Sequence, residues 1–101
     1  MAIPTPTFDT EAIARFCERW AVQRLWLFGS QATGTADGTS DVDLLVEFRT
    51  NARTSTWDWP AMQDELRQVF GRDVDLLSTG VLRNAARRRA IEASRKLLYA
   101  A

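Results

Sequence analysis

A Gly-Ser pair and two nearby acids are the residues of this chain best suited to metal-dependent phosphate chemistry. Gly29-Ser30 is followed by ten residues and then by Asp41-Val42-Asp43. On a strand, Asp41 and Asp43 would project from the same face, about 6.6 Å apart at the backbone. Two carboxylates that close repel each other, and a divalent cation relieves that repulsion. The pair therefore predicts an oxygen-ligand site of the kind that Mg²⁺ prefers.

The Gly-Ser pair adds a phosphate-binding element to this prediction. Gly29 has no Cβ and lets the backbone approach a phosphate, while Ser30 offers a hydroxyl and an amide. Taken singly, each feature has an ordinary explanation: a turn residue, a solvated strand acid or the start of a loop. Their combination favours a binding site for a metal ion and a triphosphate.

Composition narrows the chemistry further. The chain of 101 residues contains no His, which disfavours zinc and Ser-His-Asp mechanisms and leaves carboxylates with hard cations. Its 13 Lys and Arg balance 13 Asp and Glu, so strong direct binding of nucleic acid is not expected. The chain has one cysteine, Cys17, and no signal-peptide pattern, which predicts a reduced, cytoplasmic protein. It has no apolar run of about 20 residues, so no membrane span is expected.

Hydrophobic periodicity supplies the elements that would position these residues. It predicts a helix over roughly residues 10–21, which Asp9 would cap and whose apolar stripe includes Cys17. It also predicts strands at 25–28, 42–48 and 73–77, a helix that starts at Asp58 and stops at Gly71, and a last helix. The last helix would be capped by Ser78 or Thr79, with one apolar stripe: Leu82, Ala86, Ala90, Ala93 and Leu97. The predicted fold is α/β (α+β), a small mixed sheet of three to four strands flanked by helices in the order α-β-loop-β-α-β-α. The short loop before Asp41 favours antiparallel first strands.

These residues resemble the minimal nucleotidyltransferases of the DNA polymerase beta superfamily, whose signature is Gly-Ser, a ten-residue gap and Asp-x-Asp. That family has a third carboxylate in a short strand reading Val-Asp-Leu, which Val74-Asp75-Leu76 matches. The resemblance covers nearly the whole chain and implies one nucleotidyltransferase domain, residues 1–101.

The resemblance also implies roles for the acids. Asp41 and Asp43 would bind two Mg²⁺ ions, and Asp75 would complete one metal site and help to deprotonate the acceptor hydroxyl. Asp73 shares a strand face with Asp75 and is a possible substitute. ATP would be the substrate and AMP the group transferred.

In stand-alone proteins of this size, the resemblance implies an antitoxin that binds a HEPN-family ribonuclease toxin as a hetero-oligomer and adenylylates a tyrosine of the toxin. Two alternatives stay open. The chain could be a noncatalytic module that blocks its toxin by binding it, or a transferase for a small acceptor.

One departure from the family pattern concerns charge. The family often has basic residues in the Gly-Ser loop, where this chain has Gln31 and Thr33. Arg24, Arg53, Arg72 or a partner could supply the missing counter-charge to phosphate.

Two groups of residues outside the motif have both a structural and a functional interpretation. The cations of the last helix could contact phosphate, RNA or an acidic partner, although a solvated face with Glu92 pairing to Arg88 and Lys96 is the simpler expectation. Trp57 and Trp59 could stack a base or bind a partner, although core packing is the simpler expectation.

Overall fold

The computed structural model describes residues 9–29, 41–54 and 56–101. Within these ranges the main elements are, in chain order, α1 (Thr10–Arg19), β1 (Val22–Phe28), β2 (Val42–Phe48), α2 (Trp59–Phe70), β3 (Val74–Ser78), α3 (Ala85–Ser94) and β4 (Lys96–Ala100). Short 3₁₀ turns at Thr56–Asp58 and Thr79–Arg83 precede α2 and α3. Among the described residues, no helix has the length and apolar character that crossing a membrane requires.

The four strands form one mixed sheet in the order β3-β2-β1-β4. The central strand β1 is antiparallel to both β2 and β4, whereas β2 and β3 are parallel and are joined through α2. The antiparallel pairing of the first two strands confirms the sequence prediction. Because of these directions, the end of β1 and the starts of β2 and β3 meet at the same end of the sheet.

One side of the sheet, called here the packed face, carries the main core. It is covered by α1 and α2, whose apolar residues pack against alternate residues of the strands. The fully buried members include Phe16, Cys17, Leu25, Leu44, Val46, Met62 and Leu66. Trp20 Nε1 donates a hydrogen bond of 2.7 Å to Glu65 Oε2, which joins α1 to α2 beside this core.

The other side, called here the open face, carries much less. Its buried cluster consists of Trp26, Leu45 and Ile91, with half-buried residues at its margin. Ile91 is the one residue of α3 that is buried. The helix α3 therefore rests on the sheet through a small apolar contact, and most of its surface is exposed.

Local signals at two helix ends act as the sequence predicts. Asp9 caps α1, with its carboxylate accepting a hydrogen bond of 2.9 Å from the Glu11 amide. Gly71 ends α2 with a left-handed φ of 70°, and its amide donates to the carbonyl oxygen of Arg67. Cys17 is fully buried, as its place on the apolar stripe of α1 predicts.

The prediction for the end of the chain was wrong. The last helix is capped by Asn84 rather than Ser78 or Thr79, and it ends at Ser94. Leu97 lies not on a helix but in β4, whose residues pair with Arg24–Leu27 of β1. Ala86, Ala90 and Ala93 are exposed and form no core stripe. Pairing with a strand about seventy residues earlier in the chain overrides the local helical pattern, because it satisfies the backbone hydrogen bonds along one side of β1.

The two neighbouring tryptophans differ, which corrects half of the packing expectation. The ring of Trp59 lies 6.3 Å from that of Phe48, against the margin of the main core. Trp57 is 92% exposed and packs in no core cluster.

The expected pairing of Glu92 with Arg88 and Lys96 is also absent from the ion pairs between described residues, and Lys96 belongs to β4.

Candidate functional site

The candidate site lies where three strands meet at one end of the sheet. In the sheet register, Asp43 of β2 lies opposite Phe28 of β1 on one side and Asp75 of β3 on the other. Adjacent strands are about 4.8 Å apart, so this register places the two aspartates side by side. The structure thus brings together two acids that are separated by thirty-one residues in the chain.

Both aspartates lie on the open face. Side chains two residues apart on a strand share a face, and Leu45 and Leu77, which follow Asp43 and Asp75 at that spacing, belong to the cluster under α3. Leu44 and Leu76, the intervening residues, point into the main core. The strands that bury the core on one side therefore present carboxylates on the other.

Gly29 is required at the end of β1 by the position of Asp43. Its φ is 73°, in the left-handed region that favours glycine, and a Cβ added there would lie 2.5 Å from Asp43 Oδ2. The Gly29 amide donates a hydrogen bond of 3.2 Å to Ser94 Oγ. Because Gly29 has no side chain, the Asp43 carboxylate can approach its backbone closely. The sequence predicted that a phosphate would make this approach.

The acids influence one another electrostatically. Partial burial raises the pKa of Asp43, and the negative charges of Asp75 and then Asp41 raise it further. Asp41 lies immediately before β2 and is exposed. The repulsion inferred from the sequence spacing is therefore present, and it includes the third acid.

Ser30, Gln31 and Thr33 lie outside the described residues, so the predicted phosphate contact of Ser30 stays a prediction.

A cavity of about 270 Å³ opens between the strand ends and α3. Its strand wall contains Phe28, Gly29, Asp43, Asp75 and Leu77. Its helix wall contains Arg87, Ala90, Ile91 and Ser94. This cavity was not predicted, because its helix wall depends on how α3 crosses the sheet. The one signal in the sequence is the i, i+3, i+4, i+7 spacing of the four helix residues, which places them on one face of a helix.

The donor set suits Mg²⁺ bound together with a phosphate. Among residues 9–29, 41–54 and 56–101, no group of three or more acidic, Cys or His side chains stands ready to enclose a metal ion. Mg²⁺ does not need such a cage, since it is usually held by one or two carboxylates, substrate phosphates and water. Asp43 and Asp75 in adjacent register, with Asp41 beside them, fit that mode.

Asp73 is placed differently from Asp75. Its carboxylate lies 3.5 Å from Arg67 Nε of α2, and its side chain does not line the cavity. Asp75, which does line it, is the carboxylate that the geometry favours as the third acid.

Two of the arginines suggested as a counter-charge lie elsewhere. Arg24 pairs with Glu47 at 2.7 Å, and Arg53 lines a different cleft with Trp20, near the start of β1. Since the start and end of β1 are about 20 Å apart, Arg53 is remote from the acids. Arg72 precedes β3 at the acidic end of the sheet but is not in the described lining of the cavity.

Comparison with known families agrees with this geometry. The model of the nucleotidyltransferase domain family matches residues 10–98. The chain belongs to this nucleotidyltransferase family. The match spans β1, β2 and β3, the three acids and the first residues of β4, and it confirms the family resemblance seen in the sequence.

A curated relative and a solved structure show similar proteins. A protein of Methanocaldococcus jannaschii, named as a candidate protein adenylyltransferase, is 31% identical over 75 residues, which are 74% of this nucleotidyltransferase and 75% of the relative. A solved structure described as a candidate minimal nucleotidyltransferase is 30% identical, with a TM-score of 0.68 and 86% of each chain covered.

Two further solved structures share the fold at lower identity. A toxin-antitoxin structure with AMP-PNP has a TM-score of 0.69 at 22% identity, covering 92% of this chain and 74% of that one. A tri-AMPylated Shewanella oneidensis HEPN toxin in complex with MNT antitoxin contains a chain with a TM-score of 0.61 at 19% identity, covering 91% and 70%. At these identities the likeness establishes the fold of this nucleotidyltransferase.

Proposed function

We propose that this nucleotidyltransferase is an antitoxin that transfers AMP from ATP to a tyrosine of a HEPN-family toxin in the presence of Mg²⁺. The observation that carries the proposal is the register of Asp43 and Asp75 on adjacent strands of the open face, next to Gly29. The name of the archaeal relative and the AMPylated toxin in one structural neighbour support protein as the acceptor and a HEPN toxin as the partner.

The residues of the site have distinct parts in this reaction. Asp43 and Asp75, with Asp41, would hold the metal ions, which supply charge stabilisation to the phosphates when bound. Asp75, which faces the cavity from the edge strand, would accept the proton of the tyrosine hydroxyl as its oxygen attacks the α-phosphate. The new bond joins the tyrosine oxygen to the α-phosphorus, the bond to the β-phosphate oxygen breaks, and pyrophosphate leaves.

The proposal is tested by intact-mass spectrometry of a cognate HEPN toxin. Incubation with the wild type, ATP and Mg²⁺ should add the mass of one or more AMP units to the toxin. Asp43→Asn and Asp75→Asn should reduce the rate at least about 100-fold, because each removes a carboxylate from the reacting centre. Asp73→Asn is the matched control, since it makes the same change two residues earlier, just before β3 and outside the cavity, and it should keep most of the activity.

Circular dichroism should show that all three variants fold. Replacing Asp43 by Asn removes a partly buried charge that other acids repel, so we expect no loss of stability. A toxin that is neutralised without any gain in mass would favour the binding-only function instead. Equal loss in the Asp73 and Asp75 variants would mean that the third acid is misassigned.

A further inference from the structure

Arg87 is a cation in the wall of the acidic cavity that the proposed reaction does not yet use. It belongs to the first turn of α3 and faces Asp43 and Asp75 across the cavity. Between the residues that the structure describes, the ion pairs involve other arginines, namely Arg15, Arg19, Arg24 and Arg67. Arg87 thus lines the cavity with the acids without forming an ion pair with either of them.

The backbone of α3 places this residue on the cavity side of the helix. The Arg87 amide donates a hydrogen bond of 3.0 Å to the side-chain oxygen of Asn84, which caps the helix. Ser94, at the other end of α3, accepts a hydrogen bond from the Gly29 amide and donates one of 3.2 Å to the Ala90 carbonyl oxygen. The cap sets where the helix begins, and the bond between Ser94 and Gly29 ties the other end of the helix to the end of β1. The face from Arg87 to Ser94 lines the cavity together with the acids.

The neighbouring cations are directed elsewhere. Consecutive helix residues are about 100° apart around the axis, so Arg88 and Arg89 point away from the cavity face, and both are exposed. The guanidinium of Arg95 lies over the ring of Trp26, 5.0 Å from its centroid. Arg87 is the one basic residue in the described lining of the cavity.

Charge balance indicates what this cation would bind. Two divalent ions bring fewer positive charges than three carboxylates and a triphosphate bring negative ones, so a metal-loaded site remains anionic. Arginine stays protonated and offers two parallel N–H donors that match two phosphate oxygens. The metal ions would be held at the strand wall, and the phosphate oxygens turned towards the helix wall would need such a donor.

We propose that Arg87 binds the β- and γ-phosphates of the nucleotide and so stabilises the pyrophosphate group as it leaves. This inference rests on the proposed function, because it assumes that the acids hold a metal-bound triphosphate. It assigns to α3 the counter-charge that the sequence lacks at Gln31 and Thr33. When the bond between the α-phosphorus and the β-phosphate oxygen breaks, the added negative charge on pyrophosphate would develop beside the guanidinium.

Calorimetry with three ligands tests the assignment. With Mg²⁺ present, the wild type, Arg87→Gln, Arg87→Lys and Arg88→Gln are titrated with ATP, pyrophosphate and AMP. Arg87→Gln should weaken the binding of ATP and pyrophosphate about 10- to 100-fold, the range for losing a charge-assisted hydrogen bond, and should change AMP binding less than about twofold. Arg87→Lys should recover part of the affinity, because it keeps the charge but not the paired donors.

Arg88→Gln is the matched control, since it removes the same charge from the next position of the same helix. It should bind all three ligands as the wild type does. Because both arginines are exposed, both variants should keep the circular dichroism spectrum and melting temperature of the wild type, and Arg87→Ala provides a second truncation.

The outcomes separate this inference from the function on which it rests. If the wild type binds ATP and the two glutamine variants bind it equally, the role of Arg87 is wrong and the transferase proposal stands. If Arg87→Gln weakens AMP as much as pyrophosphate, the assignment to the leaving phosphates is wrong. If the wild type binds neither ATP nor pyrophosphate with Mg²⁺, the proposed function itself fails.

Discussion

The packed face of the sheet provides most of the buried core, whereas the open face carries the candidate site. The packed face buries a continuous core under two helices, and its members are almost entirely excluded from water. The open face has a buried cluster of three residues, one exposed helix, and carboxylates at its edge. Since β1 and β2 contribute alternate side chains to each face, the same strands anchor the fold and present the site.

This asymmetry explains why the site can hold carboxylates that repel one another. Partly buried acids that repel each other destabilise the folded state, and Asp43 shows this in its raised pKa. Such a cost is tolerable where the apolar burial on the opposite face is large. Substitutions that compare the two faces can test this division.

The largest difference is expected between equivalent leucine truncations on the two faces. Leu66 of α2 is fully buried in the main core, whereas Leu82 lies half-buried at the margin of the small cluster. Leu66→Ala should lower the free energy of unfolding by about 3–4 kcal/mol, and Leu82→Ala by about 1 kcal/mol. Urea denaturation measures both. Equal losses would mean that the open face contributes as much to stability as the packed face.

The single thiol supplies a pH test of the packed face. Burial raises the pKa of Cys17 to about 12 from an ordinary value near 9, outweighing the nearby charge of Arg49, which lowers it. Above pH 9 the unfolded chain loses this proton while the folded chain keeps it, so rising pH favours unfolding until about pH 12. At pH 10 the loss should be about 1.4 kcal/mol relative to pH 8.

Comparison with Cys17→Ala isolates this contribution from the other groups that titrate at high pH. The variant should be less stable at neutral pH because of the lost packing, but its stability should fall less between pH 8 and pH 10. Parallel stability curves for the two proteins would contradict the burial of the thiol.

Gly29 and Gly71 share a left-handed backbone conformation, so the same substitution at both positions distinguishes the cost of backbone strain from an effect on the site. Gly29 and Gly71 have φ of 73° and 70°, but an added Cβ would meet Asp43 at the first and nothing within 4 Å at the second. Alanine at either position should cost about 1 kcal/mol of stability for its left-handed conformation. Only Gly29→Ala should also weaken the binding of ATP with Mg²⁺, because the Asp43 carboxylate must move. Equal ATP affinity in both variants would contradict the role given to Gly29.

The sequence predicts well those features that depend on local chemistry. The cap at Asp9 and the stop at Gly71 each follow from a backbone requirement within a few residues. Gly29 was also singled out, but the structure gives a different reason for it, because an added Cβ would meet Asp43 of the neighbouring strand. The acidic cluster was also predictable, because residues two apart on a strand share a face, and the Val-Asp-Leu resemblance pointed to Asp75.

Features that depend on distant pairing were not predictable in the same way. A short apolar run such as Leu97-Leu98-Tyr99 suits either a helix end or a strand, and only pairing with β1 decides between them. The position of Arg87 follows from the crossing of α3 over the sheet, which depends on Ile91 meeting Trp26 and Leu45. In the sequence alone, Arg87 is one of six cations of the predicted last helix, and nothing there distinguishes it from them or from Arg24, Arg53 and Arg72 as a counter-charge.

The smallest effect is expected at Trp57, which marks where the packed face ends. Because its side chain is 92% exposed, Trp57→Ser removes almost no buried apolar area and should change the free energy of unfolding by less than about 0.5 kcal/mol. Trp59→Ala, two residues later, should cost about 2 kcal/mol, since that ring packs beside Phe48 at the margin of the main core. Fluorescence gives an independent readout: removing the exposed Trp57 should shift the mean emission to the blue, because Trp20, Trp26 and Trp59 are shielded from water to a greater degree. A loss above about 1 kcal/mol in Trp57→Ser, or an unchanged emission maximum, would mean that this side chain is buried in the packed face.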